Sequence, residues 1–177
     1  MEQPFIIIIA GPNGVGKSTF ARYYLELIPE CVEIVDPDVI ARTLTEATEN
    51  ERAIRAGRIA IERVRLLIEL RFSFAIETTL SGKTLAAALL EAAGIGYYIA
   101  IKLLRVETIR VSSARVAKRV QQGGHDIPMA SQVRRFTRSY DNFFTYYIDV
   151  CHEWTIYDAE SEQPQLLLTG RGKLSED

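Results

Sequence analysis

The sequence predicts an α/β fold, a mostly parallel sheet of five strands between two layers of helices. Three observations carry this. Short apolar runs alternate with helix-period patterns along the chain, as strand–helix–strand units require. A glycine-rich turn, "GPNGVGKST" (11–19), sits between an apolar run and a helical segment. The 177 residues contain no repeat, no low-complexity tract and no dividing linker, which suggests a single domain over 1–177.

Each element follows from its local pattern. "FIIIIA" (5–10) reads as a buried first strand, and a helix is expected from Lys17 to Leu27, stopping before Pro29. "VEIVD" (32–36) is the second strand, and "PDVIARTL" (37–44) starts a short helix with Pro37 in its first turn. Residues 50–71 form a long helix with Ile54, Ile61, Val64 and Ile68 as its apolar stripe. Glu51–Arg55, Arg58–Glu62 and Arg65–Glu69 stand at i,i+4 on its wetter side. "FSFAIETT" (72–79) is a third strand running into a loop, after which Ser81 is placed to cap an alanine-rich helix ending near Gly94.

"YYIAIKLLRV" (97–106) is the fourth strand, and the helix over 108–122 ends at Gly123-Gly124. A last helix begins near Pro128, with Phe136, Tyr140, Phe143, Phe144 and Tyr147 as a core stripe and Arg134 and Arg138 on the opposite side. "EWTIYDA" (153–159) is the fifth strand, and "LLLTGRGK" (166–173) is a candidate sixth at the edge.

A net charge of −2 argues against a general nucleic-acid binder. The charge is uneven: eight basic residues lie between Arg105 and Arg138, against Glu107 and Asp126 alone as acids. Cys31 and Cys151 have neither metal-ligand spacing nor a disulfide framework, which fits a reducing compartment. The first apolar run is too short for a signal peptide or a membrane span, so a cytoplasmic protein without a membrane association is expected.

The turn fits G-x-x-x-x-G-K-[ST] through Gly11, Gly16, Lys17 and Ser18. Such a loop wraps its backbone N–H groups around phosphate oxygens, and the following helix adds its positive dipole end. Gly11, Pro12, Asn13, Gly14, Val15, Gly16, Lys17, Ser18 and Thr19 are therefore candidate nucleotide contacts, with Lys17 on the β- and γ-phosphates and the Ser18 hydroxyl on Mg²⁺.

Asp36, Asp38 and Glu77 close the second and third strands, and in an open parallel sheet those ends face the ligand crevice. A carboxylate there suits the acceptance of a proton from an attacking hydroxyl. Asp36 is equally placed to cap the next helix. Arg115 and Arg119 share a helical face, and Arg134 and Arg135 lie on the next helix across "QQGGHDIP". Two arginine-bearing helices joined by a hinge-like turn suit a lid, about residues 107–140, that brings guanidinium groups onto a transferring phosphate. The role of His125 in that turn stays open.

In this order, "AGPNGVGKST", "VDPDVIA", "ETTLSG", "RVAKRVQQGGHDIP" and "VRRF" resemble the zeta-toxin family of P-loop kinases, over roughly residues 5–145. The resemblance implies a three-layer P-loop kinase fold and ATP-dependent, Mg²⁺-assisted transfer of a phosphoryl group to the hydroxyl of a small molecule. The family's well-studied acceptor is UDP-N-acetylglucosamine, and some members are toxins held by an antitoxin. It implies Asp38 as catalytic base, with Lys17 and two lid arginines acting on the transferring group: Arg119, for which Arg115 could substitute, and one of Arg134 or Arg135, with the register between them open. Glu77, with Thr78 and Thr79 beside it, would hold substrate or metal, and Arg115 and Arg134 are further phosphate contacts. The chain lacks the long extensions of the large toxins, so the nucleotide sugar is an analogy.

Two other functions fit the loop: a nucleotide-binding switch or ATPase that regulates a protein partner, and a polynucleotide kinase-like enzyme. The acidic strand ends and paired arginines favour a small-molecule kinase over the switch. The acidic remainder of the chain counts against nucleic acid.

Overall fold

Four isoleucines in a row can form a strand only where both faces are covered, and β1 (Phe5–Ala10) is such a strand. Ile6 and Ile8 enter one core and Ile7 and Ile9 the other, all at most 5% exposed. The computed structural model describes residues 3–31, 33–45, 48–124 and 126–175. Within them the sheet runs β2-β3-β1-β4-β5-β6, with β2 (Ile34–Val35), β3 (Phe74–Thr78), β4 (Tyr98–Arg105), β5 (Glu153–Asp158) and β6 (Gln165–Arg171). The first five strands pair in parallel, and β6 closes the edge antiparallel to β5.

The sheet therefore has six strands rather than five, the candidate edge strand being formed. Its apolar run did not mark it as a core strand for a physical reason: Leu166, Leu167 and Leu168 are all exposed.

The helices are α1 (Lys17–Leu25), α2 (Pro37–Arg42), α3 (Glu49–Glu69), α4 (Thr84–Gly94), α5 (Ile109–Gln121) and α6 (Met129–Asn142). A capping box starts α3: Glu51 N–H donates to Thr48 Oγ1, and the Glu51 carboxylate accepts from Thr48 N–H. Its buried face is Ala56, Ala60, Val64, Leu67 and Ile68, with Ile61 packed partly buried against it; of the expected stripe only Ile54, 52% exposed, lies outside. Small residues win there because they let the helix approach the sheet closely.

α6 continues through a π-turn (Phe143–Tyr147) and a 3₁₀ turn (Ile148–Val150), burying Phe143 and Tyr147 and leaving Phe144 exposed. Ser81 does not cap α4; Lys83 holds that position, and the Ser81 hydroxyl pairs with that of Thr79. No helix among the described residues is long and apolar enough to cross a membrane.

Candidate active site

The loop from Gly11 to Gly16 crosses the carboxyl end of the sheet, and contact makes two of its glycines obligatory. A Cβ on Gly11 (φ +141°) would lie 2.5 Å from the Leu104 carbonyl oxygen. One on Gly14 (φ +76°) would lie 2.2 Å from that of Ser112. The loop is thus clamped between the end of β4 and the first turn of α5. No side chain caps α1, whose first N–H groups are left to an anion at its start. Lys17 is buried, and its Nζ donates to the Gly11 and Pro12 carbonyls, each at 3.0 Å. Burial lowers the pKa of this ammonium, while Asp38, Glu77 and Asp36 act in the opposite direction.

The three strand-end acids separate into different environments. Glu77, 5% exposed, accepts a 2.9 Å hydrogen bond from the Ser18 hydroxyl. Burial first, and then the Asp36 carboxylate, raise its pKa. Asp36 caps α2, its Oδ1 accepting from the Asp38 N–H at 2.8 Å, and burial raises its pKa as well. Asp38 stands in the first turn of α2, exposed at the wall of a cleft of about 210 Å³. Lys17, Glu77, Thr78 and Thr79 line the same cleft, and so do Arg119 from α5 and Arg135 from α6.

α6 is fastened to the phosphate loop and to the residue after β4. Arg135 Nη1 donates to Asn13 Oδ1 at 3.3 Å, and the phenol of Tyr140 accepts from Val106 N–H at 3.2 Å. The turn between α5 and α6 is held at Ile127, which is 4% exposed and whose carbonyl accepts from Gln132 Nε2. His125 lies outside the described residues.

Of the expected nucleotide contacts only Lys17 and Arg119 line this cleft; of the others, Arg115 reaches the loop itself through a 3.5 Å hydrogen bond to the Val15 carbonyl. The Arg115 guanidinium donates to the Ala159 and Glu160 carbonyls, both at 2.7 Å, and so ties α5 to the turn after β5. Arg134 is exposed on α6, and Thr19 is exposed on α1. In the other direction, Arg42 and Arg52 line the cleft although the sequence reading passed over them. The signal for Arg42 was available: it follows Asp38 by four residues and so shares its helical face.

Ser18 Oγ and Glu77 Oε2 are adjacent hard-oxygen donors of the kind Mg²⁺ takes. Among the described residues no group of three or more His, Cys, Asp or Glu side chains could hold a metal by itself. The donor set fits an ion that draws its other ligands from phosphate and water.

The family model described as an AAA domain matches residues 6–143. The chain belongs to that family. An uncharacterized protein of Haemophilus influenzae is 30% identical to this AAA domain over 121 residues, 68% of this chain and 84% of the relative.

Among solved structures, one from the PezAT chromosomal toxin–antitoxin system of Streptococcus pneumoniae superposes with a TM-score of 0.68 at 16% identity, over 96% of this chain and 72% of that one. The AvrRxo1-ORF1:-ORF2 complex with ATP gives a TM-score of 0.63 at 15% identity, over 97% of this chain and 59% of that one. At these identities the likeness establishes the shared α/β P-loop kinase fold.

Proposed function

We propose that this AAA domain is an ATP-dependent phosphotransferase that moves the γ-phosphate to a hydroxyl of a small molecule. The observation that carries this is the presence of Asp38 in the cleft that also holds Lys17, Glu77, Arg119 and Arg135. A switch needs a phosphate loop; it does not need a carboxylate base and an acceptor wall facing it.

The acceptor hydroxyl sits against Asp38, which takes its proton as the oxygen attacks the γ-phosphorus. The bond from that phosphorus to the β,γ-bridging oxygen breaks, ADP leaves, and the acceptor leaves as a phosphate ester. Lys17 and the two arginines neutralise charge spread over the transferring oxygens. Ser18 and Glu77 would hold Mg²⁺, which when bound neutralises charge between the β- and γ-phosphates. Asp36 holds α2, and hence Asp38, in position through its cap.

A nucleotide sugar is the acceptor that the zeta-toxin resemblance implies. A protein antitoxin is the partner suggested by the likeness to the PezAT structure. The test is incubation with Mg²⁺, ATP and a panel of hydroxyl compounds, followed by mass spectrometry. One acceptor should gain a single phosphoryl group as ADP forms in equal amount. ATP hydrolysis that no hydroxyl compound alters would contradict the assignment and support the switch.

A further inference from the structure

We infer that the acceptor carries an anionic group, phosphate or carboxylate, apart from its reacting hydroxyl, and that Arg42 and Arg52 hold it; this rests on the kinase reading above and deepens it. Beside the phosphate cleft lies a second space of about 790 Å³, and Ala41, Arg42, Arg52 and Arg119 line both. The two spaces thus share a wall, the smaller beside Lys17 of the phosphate loop and the larger between α2–α3 and the end of α5.

The cations of these spaces divide by origin. Lys17, Arg119 and Arg135 come from the phosphate loop and the lid, the elements that face a triphosphate. Arg42 and Arg52 come from α2 and the first turn of α3, which contribute nothing to loop or lid. Arg42 is one helical turn past Asp38, roughly 6 Å along the axis, on the same face.

A hydroxyl seated at Asp38 therefore has guanidinium groups beyond it, on the side away from the nucleotide. A guanidinium is a planar fork that matches carboxylate and phosphate in bidentate fashion. The fitting acceptor has its hydroxyl and its anionic group several bonds apart, with a body large enough to reach from the smaller space to the larger.

The test loads the protein with Mg²⁺ and a non-hydrolysable ATP analogue, so that the phosphate loop is filled. Inorganic phosphate and acetate are then titrated in separately by calorimetry. One equivalent of at least one anion should bind, phosphate or acetate according to which group the acceptor bears. Its affinity should fall by about tenfold or more in an Arg42→Gln, Arg52→Gln double variant, the scale of one charged hydrogen bond lost. Unchanged affinity of the variant for the ATP analogue shows that it is folded. If neither anion binds the loaded protein, or if both bind wild type and variant equally, the inference is overturned.

Transfer is then compared between polyols and their monophosphates or acids. Preference for the anionic member, lost in the double variant, supports the inference. Equal transfer to the neutral member overturns it and leaves the kinase reading standing. Anion binding through Arg42 and Arg52 without transfer to any hydroxyl overturns the kinase reading, and the acceptor role with it, while the anion site itself stands.

Discussion

Glu77 is the residue at which function and stability pull apart. Its carboxylate is buried beside Asp36, so its native pKa lies above the ordinary value and the folded state holds the proton more tightly than the unfolded chain. The sign follows: stability falls as pH rises from the unfolded value, about 4.3, through the raised native one. Glu77→Gln should therefore melt higher than wild type at pH 7, with the gain vanishing below about pH 4, where both proteins are neutral at this position. The same variant should transfer phosphate more slowly, because the oxygen beside the Ser18 hydroxyl no longer carries negative charge. Melting curves at the two pH values check this; a variant less stable than wild type at pH 7 would contradict it. At this scale Lys17 and Ser18 were legible because their motif fixes their spacing. Spacing alone left Asp36 open between cap and site, and Asp38 was set apart as the base by the family resemblance rather than by the pattern. The backbone bond from Asp38 N–H to Asp36 shows Asp36 as the cap.

Elements were legible as existing and less so in their orientation. The alternation of apolar runs located every strand, but not the short reach of β2 or the antiparallel direction of β6. On α3 the stripe held at Ile61, Val64 and Ile68 but missed Ala56 and Ala60 and misplaced Ile54, because isoleucines outweigh alanines in an apolar pattern. The clamp of the phosphate loop onto α5 was also invisible, because it is a contact of Gly14 with a carbonyl about a hundred residues away. Gly14→Ala must relieve both that contact and a positive φ, at a cost of about 1–3 kcal/mol. Nucleotide affinity should fall with it, since the loop is displaced. Gly57→Ala, within α3 and with nothing near its added Cβ, should instead stabilise by about 0.5–1 kcal/mol. Denaturant unfolding of the two variants reads both effects, and equal stability would contradict the clamp.

For the whole molecule, the α/β class and the meeting of β-strand acids with the arginines of α5 and α6 follow from parallel-sheet geometry, which gathers strand ends on one edge. The partner is where the sequence stops speaking, because an antitoxin surface has no motif. If this domain acts as a toxin, induced expression should arrest growth while Lys17→Ala, which should weaken nucleotide binding, does not; growth curves that coincide would remove that role and leave the enzyme. The claim on which everything else turns is that one carboxylate in the cleft takes the acceptor's proton. The direct measurement is phosphoryl transfer by Asp38→Asn alongside its affinity for ATP. Transfer should fall by about 10²–10⁴-fold, the usual worth of a general base, with ATP affinity unchanged. Transfer at the wild-type rate would contradict it.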